Sequence, residues 1–307
     1  MNLKLVEVSA RDGFQSQSVV LAVSRRAEYL AGFIQAGHRH LEVGSYVDEK
    51  VLPQVSQCGE LLLRLRDLVD LKGIETIALC FNPHGLEKAL DDGVQTVGLV
   101  LGCSDLFNLK NIRKNKKECF ELYQGMRDQL RKTDKTCRFY LSTLTECSYE
   151  GRVSRNVLFE TVERIIKEIA PDELILSDTL GALEPGEVSD IITFVEGIYP
   201  LENVGFHFHD PYGRALLLMD RAIQKGVRIF DMAAAGLGGC PAVAHAAGNL
   251  ASEDVFTYCE SIHINHGIDL KLHLEHTKRI SEDLGFVSSS KSYQTLVSSL
   301  LGGGQNE

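Results

Sequence analysis

The sequence predicts a closed (β/α)8 barrel followed by a helical C-terminal extension. Three observations lead there. Eight short β-rich runs alternate with helical segments, the pattern of repeated βα units on a parallel sheet. Several of those segments stop at a glycine just before the next run, at Ala36-Gly37, Asp92-Gly93 and Lys225-Gly226, where glycine supplies the left-handed cap that turns the chain back to the sheet. Finally, the place after the first run, where an open doubly wound sheet carries a G-x-G-x-x-G loop, holds Ser9-Ala10-Arg11-Asp12-Gly13. Eight strands within about 235 residues suit a closed barrel, whose usual size is about 250.

The runs, in order, are residues 3–8, 40–43, 76–80, 96–101, 138–142, 173–177, 204–208 and 228–233. Between them lie amphipathic stretches such as 24–36, 58–68 and 159–170, with apolar residues at three- and four-residue steps. Residues 1–260 are assigned to the barrel and 261–307 to the extension. The extension has an amphipathic stretch at 270–284, a serine-rich break at 288–290, a short helix and a Gly302-Gly303-Gly304 end.

Of the 307 residues, 44% are hydrophobic and 24% charged, enough for a well-buried core. Lys plus Arg number 32 against 42 Asp plus Glu, a formal net charge of -10 that argues against nucleic-acid binding. The one basic cluster, Arg113 to Lys117, is followed by Glu118 and reads as a solvated loop or a helix start. No secretory signal opens the chain, and no apolar run nears the ~20 residues of a membrane span. A soluble, cytoplasmic protein is expected. The eight cysteines form no C-x-x-C pair and read as reduced thiols, mostly small core residues.

In such a barrel the C-terminal strand ends converge on one mouth. Arg11 and Asp12 follow strand 1, Glu42 lies on strand 2, and Asp178 follows strand 6. His207 and His209 lie at strand 7, and Gly236-Leu237-Gly238-Gly239-Cys240 follows strand 8, with Asn249 a little further on. Residues two apart on a strand share a face, so both imidazoles project into the mouth, with Phe208 turned toward the helices. Two imidazoles beside the carboxylate of Asp12 suit a divalent metal, Mg2+ or Mn2+ ahead of Zn2+. Arg11 suits a carboxylate or a developing enolate oxygen. Glu42 and Asp178 could transfer protons or orient the histidines, and Asp178 could equally cap a helix. The glycine-rich loop reads as a phosphate cradle, a lid or a tight turn, and Cys240 favours a lid that carries a thiol to the reacting carbon.

Together these stretches resemble the 3-hydroxy-3-methylglutaryl-CoA lyase family, among the metal-dependent barrel lyases related to isopropylmalate synthase. The resemblance runs from Val6-Glu7-Val8-Ser9-Ala10-Arg11-Asp12-Gly13 through Glu42-Val43-Gly44-Ser45, Asp178-Thr179-Leu180-Gly181 and His207-Phe208-His209-Asp210. It continues through Gly236-Leu237-Gly238-Gly239-Cys240-Pro241, Gly248-Asn249-Leu250 and Gly267-Ile268-Asp269-Leu270. It implies Asp12, His207, His209 and Asn249 as metal ligands, Arg11 on the enolate oxygen and Cys240 on a mobile catalytic loop. Glu42 and Asp178 would be catalytic supports, with Gln15, Gly238 and Gly239 at the substrate. The implied reaction is carbon–carbon cleavage of an acyl-CoA thioester to acetyl-CoA and a keto acid, by a homodimer. Another hydroxyacyl-CoA lyase, a Claisen-type condensing enzyme or a catalytically silent metal-binding homologue are the alternatives. The chain departs from the family at Phe14-Gln15-Ser16-Gln17-Ser18, where an acid and a base are lost, and at Ser148, Pro211, Ala242 and His245.

Overall fold

The computed structural model describes residues 2–239 and 248–302. Eight parallel strands close into a barrel in chain order: β1 (Lys4–Glu7), β2 (His40–Tyr46), β3 (Glu75–Cys80), β4 (Thr96–Gly102), β5 (Thr136–Ser142), β6 (Glu173–Asp178), β7 (Val204–Phe208) and β8 (Ile229–Met232). The seam pairs β1 with β8, Lys4 opposite Ile229 and Glu7 opposite Met232. A two-stranded antiparallel ribbon, Glu146–Cys147 with Gly151–Arg152, decorates the loop after β5.

Each connection returns through helix. The helices are α1 (Val23–Gln35), α2 (Cys58–Leu68), α3 (Pro83–Asp91), α4 (Asp105–Asn111), α5 (Lys116–Leu130), α6 (Arg155–Arg164), α7 (Pro185–Glu196), α8 (Ala215–Gln224) and α9 (Ser252–Ser261). The expected glycine stops are present, Gly37, Gly93 and Gly226 all having positive φ. The basic cluster at Arg113 resolves into a helix start: Asn115 accepts from the Glu118 N–H and Glu118 answers on Asn115, a reciprocal cap. The stretch expected at 159–170 begins earlier, where the Ser154 hydroxyl caps Val157, and ends in a π-helical turn, Ile165–Ile169.

Barrel strands and helix faces share a core that runs from Val6 to Leu284. The end of the barrel away from the mouth is ionic: Lys4 reaches Glu75 at 2.7 Å and Glu173 at 2.5 Å. Beyond α9, α10 (Leu270–Leu284) packs against α1 and buries His273, Leu274, Thr277 and Ile280, and a short α11 (Tyr293–Leu296) follows. The seven described cysteines are free and buried, and burial pushes the Cys58 and Cys103 thiols up to about 12. Among the described residues no helix is long and apolar enough to cross a membrane.

Candidate active site

β1 ends in a π-helical turn, Ser9–Gly13, in which the N–H groups of Arg11, Asp12 and Gly13 all reach back to the Val8 carbonyl. This turn swings Arg11 and Asp12 over the mouth. Gly13 lets Leu237 pack close against this turn: a Cβ there would stand 2.9 Å from Cδ2 of Leu237, which would have to shift. Across the mouth, His207 lies on β7 and His209 one residue past its end, with Phe208 on the other face stacked on Phe206. Asn249 arrives from far along the chain because the segment after residue 247 lies back on the strand ends: Asn249 bridges His209, and the Leu250 N–H bonds the Phe208 carbonyl at 2.9 Å.

These groups meet. The Nε2 atoms of His207 and His209 are 3.1 Å apart, and Asp12 Oδ2 stands 3.9 and 3.6 Å from them respectively. Asn249 donates from Nδ2 to Asp12 Oδ2 at 2.9 Å and to the Leu237 carbonyl at 2.8 Å. Its Oδ1 is buried with no hydrogen-bond partner. A buried, unsatisfied amide oxygen normally costs stability, so this atom points to an additional ligand. With one carboxylate, two imidazoles and that amide oxygen, the donor set fits a divalent cation.

The cluster belongs to a ring of bonded side chains that crosses the barrel. Arg11 donates through Nη1 to Asp12 and through Nε to Glu42 Oε2 at 2.6 Å. Tyr140 donates its hydroxyl to Glu42 Oε1 at 2.9 Å and accepts from Arg138 Nε at 2.9 Å. Arg138 bonds Asp231, and Asp231 Oδ2 lies 3.1 Å from His207 Nδ1. Burial alone would raise the Asp12 carboxyl, but Arg11, His207 and His209 outweigh it and hold it well below the carboxylate range. Burial raises Glu42 more than Arg11 lowers it. For His207 burial works downward, yet the bond to Asp231 and the negative charges of Asp12 and Asp231 together outweigh it and the net shift is up. Arg11 stays charged because Glu42 and Asp12 outweigh its own desolvation.

Several expected positions behave differently from the sequence reading. Glu42 does not orient a histidine; it is the partner of Arg11 and Tyr140. Asp178 spends its carboxylate on the turn after β6, accepting from the N–H groups of Ala182 at 2.9 Å and Leu183 at 3.0 Å, and burial pushes it up to about 6. Gln15 stands half-buried just after Gly13. Gly238 borders the cluster: a Cβ there would be 2.3 Å from Asn249 Nδ2 and 3.3 Å from Asp12 Oδ2. Gly239 follows it with φ 138°, and Cys240 lies outside the described residues. Sequence reasoning missed Asp231, Arg138 and Tyr140. The available signal was a charge inside an apolar strand, as in Ile229-Phe230-Asp231-Met232.

A closed parallel barrel whose polar cluster sits at the C-terminal strand ends is the architecture in which barrel enzymes place catalysis. Residues 2–280 match the HMGL-like family. A hydroxymethylglutaryl-CoA lyase of Bacillus subtilis (strain 168) is 32% identical over 300 residues, 95% of this chain and 97% of that protein. A 3-hydroxy-3-isohexenylglutaryl-CoA/hydroxy-methylglutaryl-CoA lyase of Pseudomonas aeruginosa is 32% identical over 296 residues, 96% and 97% of the two chains. The crystal structure of the Bacillus HMG-CoA lyase superposes with a TM-score of 0.90 at 30% identity, covering 96% of this chain and 97% of that one. An Acinetobacter baumannii HMG-CoA lyase in complex with coenzyme A and 3-methylmalate gives 0.88 at 29% identity, covering 95% and 94%. The chain belongs to the HMGL-like family. It is an enzyme, a carbon–carbon lyase.

Proposed function

We propose that the chain cleaves 3-hydroxy-3-methylglutaryl-CoA to acetyl-CoA and acetoacetate, with Mg2+ or Mn2+ held by Asp12, His207, His209 and Asn249. The observation that carries this reading is the orphaned Oδ1 of Asn249 beside a carboxylate and two imidazoles, with a buried guanidinium alongside. When bound, such an ion supplies Lewis acidity that eases loss of the tertiary hydroxyl proton. As that proton passes to a water at the mouth, the C3 hydroxyl becomes the ketone of acetoacetate, the bond between C2 and C3 breaks, and its electron pair becomes the enolate of the acetyl thioester.

Arg11 is built to meet that oxyanion. Its Nε and Nη1 are fixed on Glu42 and Asp12, so the guanidinium plane is set before substrate arrives and neither bond uses Nη2. A preorganised donor stabilises charge that develops in the transition state without reorganising. Glu42 and Tyr140 act on the plane of Arg11, and Asp231 acts on the ring of His207. On the sequence reading, Cys240 or a nearby water returns a proton to the acetyl carbon.

The test is product formation. Chelated protein, restored separately with Mg2+, Mn2+ and Zn2+, is given 3-hydroxy-3-methylglutaryl-CoA and a panel of related 3-hydroxyacyl-CoA thioesters. Metal-dependent release of acetyl-CoA and acetoacetate in equal amounts is expected; absence of turnover on every thioester with every metal would refute the proposal.

A further inference from the structure

We propose that the C-terminal segment 288–292, together with His273, is a positioning strap for Asn249. The inference rests on the metal reading above and concerns residues far outside the cluster itself.

Its anchor is Ala235, just after β8. Ala235 has φ 54°, the left-handed region that a residue with a Cβ adopts only when its surroundings hold it there. Both of its amide groups are held from beyond the barrel's last strand. The N–H donates to Glu253 at 2.8 and 3.1 Å, and Glu253 Oε1 is in turn 3.0 Å from Nε2 of the buried His273 on α10. The carbonyl accepts from the Ser289 N–H at 3.0 Å and the Ser288 hydroxyl at 3.1 Å. The same segment is fastened at its other end to Asp254, which accepts from the Ser290 hydroxyl at 2.8 Å and from the N–H groups of Lys291 at 3.0 Å and Ser292 at 2.7 Å.

What the strap holds leads directly to the cluster. Ser289 packs so closely on Gly236 that a Cβ there would stand 2.2 Å from its Oγ. The next residue, Leu237, rests on Gly13 of the turn that carries Asp12, and its carbonyl takes Nδ2 of Asn249. With Nδ2 divided between that carbonyl and Asp12, the amide cannot rotate, and Oδ1 is held on the opposite side. The path therefore runs from Ser288 and Ser289 through Ala235 and Leu237 to Asn249. A segment that served only to cover Ala235, Leu274 and Tyr293, which do cluster beneath it, would stabilise the fold without affecting a ligand.

Mn2+ binding to the full chain, followed by electron paramagnetic resonance, separates the two roles in a double-mutant cycle. Loss of the two hydrogen bonds to the Ala235 carbonyl in Ser288→Ala/Ser289→Pro should weaken the Mn2+ Kd by about tenfold. Ser288→Ala alone, the variant that keeps the proposal testable if the proline prevents folding, should weaken it by about threefold, and Ser288→Thr, which keeps the hydroxyl, should restore it. Placed on Asn249→Ala, the same strap changes should add nothing. Equal weakening with and without Asn249, or an unchanged Kd in a folded variant of lowered Tm, would overturn the strap while leaving the metal reading intact. Failure of the unaltered chain to bind Mn2+ would overturn both.

Discussion

Asp231 holds His207: its Oδ2 lies 3.1 Å from Nδ1 of the imidazole, while Arg138 occupies its other oxygen. That bond fixes which nitrogen of His207 is left for the mouth, and neither residue is exposed enough for water to substitute. Asp231→Asn should leave a folded barrel and lower Mn2+ affinity by about 10- to 100-fold. Calorimetric titration of the two proteins measures this, and equal affinities would remove Asp231 from the site.

His207→Ala and His209→Ala should each lose bound metal and turnover together. Elemental analysis beside an acetyl-CoA assay checks both. Full metal occupancy in both variants would show that the imidazoles are not ligands.

Arg11→Lys should keep the metal and lose turnover, because a compact ammonium does not reproduce the planar fork with which the guanidinium holds Glu42 and Asp12 through Nε and Nη1 and keeps Nη2 for an oxyanion. The loss should fall on kcat, by about 100-fold or more, with KM little changed. Steady-state kinetics decides it; near-normal kcat would mean that the guanidinium acts only in the ion pair.

Much of this was legible in the sequence, for physical reasons. The strand runs and the glycine stops depend on local chemistry, so the eight strands lie where alternation and caps placed them, with ends shifted by a residue or a few. The His207 and His209 pair was legible because strand periodicity dictates a shared face. Glu42, Asp231, Arg138 and Tyr140 were not sorted into roles, because each role depends on register across strands far apart in sequence. Glu42 meets Tyr140 across 98 positions and Arg138 meets Asp231 across 93. The same limit hid the grip of residues 288 and 289 on Ala235, where a serine-rich stretch read only as a break between helices.

Asp178 supplies a prediction about pH. Its folded value of about 6 lies above the ordinary 3.8, because burial disfavours the charged form more than the two backbone bonds favour it. Between those values the folded chain keeps a proton that the unfolded chain releases. Its contribution to stability is therefore complete below 3.8 and is lost as pH rises toward 6, by up to about 3 kcal/mol. Asp178→Asn carries no such titration. Urea unfolding at pH 4, 5 and 6 should show wild type losing stability relative to the variant as pH rises, and parallel curves would refute the shift.

The last prediction concerns the acyl group. Gln17, half-buried, and Ser18, exposed, stand where the resemblance leads one to expect an acid and a base. A site that lacks polar contacts to one substrate discriminates weakly against larger ones. The ratio of kcat/KM for 3-hydroxy-3-methylglutaryl-CoA to that for 3-hydroxy-3-isohexenylglutaryl-CoA should stay within about tenfold. A thousandfold preference for the smaller thioester, about 4 kcal/mol in the transition state, would show these departures to be neutral.

The bonded ring from Asp12 through Arg11, Glu42, Tyr140, Arg138 and Asp231 to His207 also bears on how such a chain can change over time. Three carboxylates and two guanidiniums are buried together, so replacing any one leaves a neighbour charged and unmatched in a dry interior, which typically costs 3–5 kcal/mol. That is a large share of the 5–15 kcal/mol that holds a domain folded. Exchanging one member first and its partner later passes through a chain of much reduced stability. Substrate range can drift at the rim, around Ser18 and Tyr212, one substitution at a time. The interior chemistry can be altered only by paired changes, which are rare, and the reaction should therefore outlast many changes of substrate.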